Sequence, residues 1–114
     1  MITFSNIKRS TQSEIMDELH FGGKEMRDTL DDINMMNKWF GGNRISIDGL
    51  RTFLKDHPKN QEITILDVGC GDGQVLRSCA DFGKKKNYSF NCIGIDFNQN
   101  ILDLAKEKST SYQN

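Results

Sequence analysis

The second half of the chain alternates between short apolar runs and segments in which apolar residues recur every three or four positions. Residues 62–68, EITILDV, form a nearly continuous, β-branched apolar run. Such a run predicts a strand buried on both faces, as in a parallel sheet. Residues 90–96, FNCIGID, have the same character. We therefore expect two parallel strands, joined by a right-handed crossover.

Apolar residues at the spacing of a helix follow each predicted strand. After the first strand, one helix face is expected to carry Val75, Leu76, Cys79 and Ala80. That helix should end near Gly83, before a polar connection over residues 84–89. Asn98 is placed to cap a second helix, whose inward face is Ile101, Leu102, Leu104 and Ala105. The order strand, helix, strand, helix predicts an α/β fold.

Residues 1–58 predict helices instead. Residues 11–14, TQSE, match a capping box, and Gly22-Gly23 is expected to end that first helix. A longer helix is predicted from Lys24 to Phe40. Its buried stripe should be Met26, Leu30, Ile33, Met36 or Asn37, and Phe40, with Asp28, Asp31, Asp32 and Lys38 exposed.

A third helix should follow Gly41-Gly42, with Asn43 or Ser46 as its cap. Its apolar positions are Ile45, Ile47, Leu50, Phe53 and Leu54, and His57-Pro58 closes it. We therefore divide the chain into an N-terminal helical segment, residues 1–58, and an α/β segment, residues 59–114.

Composition narrows the class of protein. At 114 residues the chain is long enough for one small domain, and its net charge of -1 gives no reason to expect nucleic acid as a partner. No segment approaches the roughly 20 apolar residues of a membrane span.

The three cysteines lack zinc-type spacing, and no signal peptide precedes them; reduced thiols in a cytoplasmic protein are expected. The basic run at 84–86 predicts a solvated loop, and no metal site is indicated.

The glycine-rich loop after the first predicted strand is the main candidate for chemistry. Gly69, Gly71 and Gly73 let a ligand lie against the main chain, at the edge where open α/β sheets bind ligands. A phosphate-binding P-loop is excluded because the loop contains no lysine. A dinucleotide fingerprint is disfavoured, because its third glycine would fall at Gln74 or Leu76.

Two acids flank this loop. Asp67 ends the first strand and Asp96 ends the second. A carboxylate at Asp67 repels phosphate and attracts a cation, while one at Asp96 can accept hydrogen bonds from both hydroxyls of a ribose. The pattern therefore predicts a nucleoside ligand that lacks phosphate and carries a positive amine.

Residues 65–73, ILDVGCGDG, resemble motif I of the class I S-adenosylmethionine-dependent methyltransferases, and residues 93–97, IGIDF, are similar to the family's next element. The resemblance covers residues 62–108 and implies the start of a Rossmann-like methyltransferase sheet. It implies that residues 69–73 wrap the methionine part of S-adenosylmethionine, that Asp67 reaches its amino group, that Asp96 holds the ribose and that Phe97 packs on the adenine.

Two residues of the loop, Asp72 and Cys70, can have roles that do not require contact with the ligand. Asp72 either contacts the ligand or caps the following helix. Cys70 is expected to be a small filler, not a nucleophile. Further upstream, residues 37–42, NKWFGG, resemble the helical leaders of small-molecule and quinone-type methyltransferases. The resemblance implies a small-molecule acceptor, although Met35, Met36, Trp39 and Phe40 are more simply explained as core. No residue is assigned as catalytic.

A class I methyltransferase sheet has seven strands, and only its first two are recognisable here. We therefore interpret the chain as a truncated N-terminal portion of such an enzyme, and expect these 114 residues alone to be inactive. The strands at 63–68 and 90–96 would each have a bare edge, which predicts self-association. Two alternatives remain: a non-catalytic nucleoside-binding module or partner subunit, and another nucleotide-binding α/β protein such as a dehydrogenase fragment.

Overall fold

A computed structural model describes residues 1–7 and 23–112, except for the side chains of residues 37–40. The predicted α/β class is confirmed: this part of the chain forms one small parallel sheet and four α-helices, as in a Rossmann-like fold. The elements are β1 (Ile2–Asn6), α1 (Gly23–Phe40), α2 (Gly42–Phe53), β2 (Glu62–Val68), α3 (Gln74–Lys86), β3 (Ser89–Asp96), α4 (Gln99–Lys108) and a short 3-10 helix (Thr110–Tyr112).

The sheet has the strand order β1-β3-β2, and both pairings are parallel. Asp67 of β2 lies opposite Gly94 of β3, and Phe4 of β1 lies opposite the same glycine on the other side. Because the strands are parallel, their carboxyl ends meet at one edge of the sheet. That edge carries both the glycine loop and Asp96.

Strand β1 was not predicted, and the expectation that residues 1–58 are helical is wrong there. Ile2 and Phe4 are buried and alternate with exposed Thr3 and Ser5. A run this short indicates a strand only when a partner edge is available, and β3 provides that edge. The predicted bare edge on residues 90–96 is therefore also wrong, because β3 is paired on both sides.

Strand β2 has the predicted bounds but not the predicted burial. Leu66 is 56% exposed and Val68 is 66% exposed, so β2 is not buried on both faces. Among the described residues β2 pairs only with β3, which leaves its other edge unpaired. Self-association through this edge remains a prediction.

Helix α1 has the predicted position and half of the predicted core stripe. Met26 and Leu30 are buried against Ile101 and Leu104 of α4. The predicted burial of Ile33 and Met36 is wrong, since Ile33 is 42% and Met36 is 59% exposed. The expected exposure of three acids on this helix is confirmed; they are Asp28, Asp31 and Asp32. The side chains of Lys38 and Phe40 lie outside the described residues, as does the helix predicted after residue 11.

Helix α2 begins differently from the prediction. Its N-cap is Gly41, at φ 78°, and no side chain caps it; neither Asn43 nor Ser46 has that role. Leu54, just after the helix, is fully buried, whereas Ile45 is 72% and Phe53 79% exposed. The apolar face of α2 is thus only partly covered.

The two helices of the α/β segment agree more closely with their patterns. Leu76 and Cys79 of α3 are buried, but α3 continues to Lys86, so the basic run at 84–86 is its last turn and not a loop. Asn98 caps α4 as predicted, with its Oδ1 accepting from the main-chain nitrogens of Asn100 at 3.0 Å and Ile101 at 3.2 Å. The four predicted inward residues of α4 are all buried. In the described part of the chain, none of the helices has the length and apolar character that a membrane crossing requires.

Candidate functional site

A cavity of about 390 Å³ opens at the carboxyl edge of β2 and β3. The glycine loop, the start of α3 and the residues after β3 form one side, and α1 forms the other. Seven of the eight predicted site residues line it: Asp67, Gly69, Cys70, Gly71, Asp72, Asp96 and Phe97. Its volume lies within the range of small-molecule and cofactor sites, roughly 300–1,000 Å³.

The glycine loop is held against the end of β3 and leaves its own surface open. The main-chain nitrogens of Gly69 and Cys70 both donate to the carbonyl oxygen of Ile95, at 2.8 and 3.1 Å. Gly69 and Gly71 have φ angles of 75° and 55°, and a Cβ built on either would meet no atom within 4 Å. The sequence needs glycine here for the backbone conformation, and the space beside it is available to a ligand.

Asp96 is one of two buried acids that line the site, with 6% of its surface exposed. Its Oδ2 accepts from the main-chain nitrogen of Gly71 at 3.1 Å, and its Oδ1 accepts from that of Asn98 at 3.0 Å. Each carboxylate oxygen can accept more than one hydrogen bond. Asp96 therefore fixes the loop while keeping acceptor capacity toward the cavity.

Asp67 is half-buried at the end of β2 and faces the same cavity. Burial, and then the negative charge of Asp96, raise the pKa of Asp67 above its ordinary value. Among residues 1–7 and 23–112, no cationic side chain forms an ion pair with either acid. A positive group on a ligand would relieve this repulsion.

Cys70 and Gly73 support the loop from behind. Cys70 is 8% exposed and belongs to the main hydrophobic core. Burial, followed by the charges of Asp96 and Asp67, raises the pKa of its thiol to about 12, so it stays protonated and is not a nucleophile at neutral pH. Gly73 does not line the cavity; a Cβ there would lie 2.8 Å from Cζ of Phe4.

Asp72 does not cap α3, whose N-cap is Gly73 without a side-chain hydrogen bond. Its carboxylate is 3% exposed and points into a polar cluster. Oδ2 accepts from Nδ2 of Asn34 at 2.7 Å and from Nζ of Lys108 at 2.8 Å. The prediction that Asp72 caps α3 is therefore wrong. Asp72 instead lines the cavity and connects the glycine loop to α1 and α4.

Asn34 and Gln74 also line the cavity, and sequence reasoning missed both. Gln74 Nε2 donates to the main-chain oxygen of Asn34 at 3.5 Å. Its buried Oε1 has no hydrogen-bond partner within the described part of the chain, which leaves an acceptor for a ligand. The available signal was spacing: Asn34 lies one turn after Leu30 on α1, and Gln74 directly follows the glycines.

Residues 65–114 match the model of a family described as "Methyltransferase domain". No solved structure was found to match the chain. The matched segment contains the end of β2, the glycine loop, α3, β3 and α4, which together form most of the cavity wall. The match therefore supports a methyltransferase domain, and a methyltransferase-type function, for residues 65–114.

Proposed function

We propose that the cavity binds S-adenosylmethionine and belongs to a methyltransferase that acts on a small-molecule acceptor. One observation carries this proposal: Asp67 and Asp96 flank an open glycine loop, and neither has a cationic partner among the described residues. A site with two such carboxylates disfavours phosphate and favours a nucleoside that carries positive charge. S-adenosylmethionine carries a sulfonium and an ammonium group.

The lining residues suggest how the ligand would lie. The open backbone at Gly69 and Gly71 suits the methionine part, and the Asp67 carboxylate suits its amino group. Asp96 has acceptor capacity for the ribose hydroxyls, and Phe97 offers an aromatic face for adenine. Oε1 of Gln74, which has no hydrogen-bond partner among the residues that the structure describes, adds an acceptor for an N–H or O–H group.

The bound cofactor would supply an activated methyl group. Methyl transfer from a sulfonium is a displacement reaction, and alignment of the two reactants contributes much of its rate. The role of this chain's residues would therefore be to bind and orient the cofactor. No residue is assigned as a base. The proposed class of acceptor rests on the resemblance of residues 37–42 to the helical leaders of small-molecule methyltransferases. We also expect these 114 residues alone to be inactive, and we expect the protein to be cytoplasmic.

Two alternatives make different predictions. S-adenosylhomocysteine is the product that remains when S-adenosylmethionine has lost its methyl group. A non-catalytic nucleoside-binding module would bind it in the same cavity but would take part in no methyl transfer, even as part of a longer chain. A dehydrogenase-type protein would bind NAD. The second alternative is the weaker one, because a pyrophosphate would approach the uncompensated Asp67 carboxylate.

We expect Asp96→Ala to weaken S-adenosylhomocysteine binding by about 1.5–3 kcal/mol, the range for hydrogen bonds to a charged group. The variant removes acceptors for the ribose and also frees the main-chain nitrogens of Gly71 and Asn98. Isothermal titration calorimetry measures the effect. The matched control is Asp103→Ala, which removes an exposed acid from α4 and should leave the affinity unchanged.

Calorimetry tests the site and separates it from the dehydrogenase alternative; the non-catalytic module is distinguished by the absence of methyl transfer in a longer chain. Equal affinity in wild type and Asp96→Ala would exclude Asp96 from the site. NAD binding by a wild-type chain that does not bind S-adenosylmethionine or S-adenosylhomocysteine would overturn the proposed function in favour of the dehydrogenase alternative.

We expect S-adenosylmethionine affinity to depend on pH through Asp67. Since burial and Asp96 raise the pKa of Asp67, this acid is ionised above the raised pKa and neutral below it. Attraction for the ligand's ammonium group is therefore present at neutral pH and is lost as the pH falls, at a higher pH than an ordinary aspartate would give. Asp67→Asn should lower the affinity at neutral pH by about tenfold, about 1.4 kcal/mol.

Calorimetry of wild type and Asp67→Asn at neutral and mildly acidic pH tests this. The two proteins should differ at neutral pH and converge as the pH falls. An affinity difference that stays the same across this range would contradict the role of the Asp67 charge.

A further inference from the structure

Helix α1 closes one side of the cavity, and its described side chains make little apolar contact there. Of its described side chains, only Met26 and Leu30 are buried, and both pack on Ile101 and Leu104 of α4. The half of α1 that borders the cavity, around Ile33 and Asn34, lies beyond this small cluster. Elements with few buried contacts open at low free-energy cost.

The cavity half of α1 is instead attached through polar contacts, chiefly to Asp72; Nε2 of Gln74 also donates to the main-chain oxygen of Asn34, at 3.5 Å. Nδ2 of Asn34 donates to Oδ2 of Asp72 at 2.7 Å, which is a hydrogen bond between α1 and the glycine loop. Lys108, at the end of α4, donates to the same oxygen at 2.8 Å and to Oδ1 of Asp31 on α1 at 3.3 Å. The ammonium group therefore bridges the loop and the helix.

Asp72 is itself in contact with Arg77 through both its main chain and its carboxylate. Nη1 of Arg77 donates to the main-chain oxygen of Asp72 at 2.6 Å and to Oγ of Ser109 at 2.9 Å, and Nη2 lies 3.8 Å from Oδ1 of Asp72. Burial alone would lower the pKa of Lys108, but its hydrogen bonds and charge interactions with Asp72 and Asp31 raise it on balance. The loop side of the contact is thus charged and has several polar partners, and α1, with two buried side chains among those described, is the side that we expect to move.

We propose that Asn34 and Asp72 form a latch that holds α1 as a lid over the cavity, so that a ligand leaves only after this hydrogen bond breaks. Both are positioning residues. Asn34 does not react with the ligand, and its effect passes through the placement of α1. The part of the inference that concerns ligand release rests on the proposed function; the part that concerns α1 does not.

Asn34→Leu removes the donor at similar volume and favours helix formation, so α1 should still form. Two readouts are measured on the full chain: hydrogen exchange of residues 23–36, and the dissociation rate of S-adenosylhomocysteine by stopped flow. Both should increase by about tenfold, equivalent to about 1.4 kcal/mol, while exchange in the sheet stays at the wild-type rate.

The matched control is Arg27→Met. It removes another contact between α1 and α4, the ion pair of Arg27 with Glu107 at 2.9 Å, whose side chains are 49% and 62% exposed. Exposed pairs contribute little, so neither rate should change. Lys108→Met removes the bridge between Asp72 and Asp31 and should resemble Asn34→Leu.

The readouts distinguish the latch from the proposed function. Unchanged exchange of residues 23–36 in Asn34→Leu would overturn the latch, as would acceleration spread equally over the sheet, because the bond would then support the whole fold. If wild type does not bind S-adenosylhomocysteine, the proposed function fails, and selective acceleration of α1 exchange still supports the latch.

Discussion

Phe4→Ala is expected to lower the free energy of unfolding by about 3–5 kcal/mol, the usual cost of removing a buried phenylalanine ring. Phe4 is 7% exposed and belongs to the main core cluster. Its ring lies beside two glycines: a Cβ built on Gly73 would be 2.8 Å from Cζ of Phe4, and one built on Gly94 would be 2.8 Å from Cδ1. These glycines leave the space that the ring fills, so alanine would leave a cavity between β1 and the glycine loop.

Urea denaturation followed by circular dichroism measures this change. The matched control is Phe53→Ala, because Phe53 is 79% exposed and its loss should change stability by no more than about 0.5 kcal/mol. If the two variants were equally stable, Phe4 would not be a core residue, and the placement of β1 in the sheet would be contradicted.

Leu30→Ala is expected to cost about 2–5 kcal/mol, the range for a buried leucine. Leu30 is 5% exposed and packs with Met26 of α1 and with Ile101 and Leu104 of α4. Within residues 1–7 and 23–112, this cluster is separate from the main core and contains four buried residues. Loss of one of them should therefore loosen α1 before it loosens the sheet, and hydrogen exchange of residues 23–36 should accelerate first.

The same helix provides the control. Met36→Ala removes an apolar side chain of similar size that is 59% exposed, and alanine favours helix formation, so little loss of stability is expected. Denaturation curves and exchange rates of the two variants should differ clearly. Equal stability of Leu30→Ala and wild type would show that α1 does not depend on its contact with α4.

Much of the α/β segment was predictable because its signals are local. The bounds of β2 follow from a continuous β-branched run, and β3 begins one residue before its predicted start. The cap of α4 follows from the preference of Asn98 for its neighbouring main-chain nitrogens. The open loop likewise depends on glycines that must adopt positive φ. Each of these features depends on residues close together in sequence.

The candidate site was predictable in part for the same reason. Parallel strands bring their carboxyl ends to one edge, so Asp67 and Asp96 were expected at a common cavity, and both line it. Their binding role remains a proposal. The contribution of α1 could not be predicted, because the contact of Asn34 with Asp72 joins residues far apart in the chain and depends on how α1 docks on α4.

Sequence by itself determined the order of the elements from β2 to α4, the glycine loop, and the acids at the ends of β2 and β3, because hydrophobic period and backbone preference are properties of short segments. Only the tertiary structure decided that residues 2–6 form a strand, that Leu66 and Met36 are exposed, and that Asp72 binds α1 and α4 instead of capping α3. Each of these depends on which surface a distant segment covers. An apolar residue is buried, and a carboxylate is paired, only where the fold brings a partner to it.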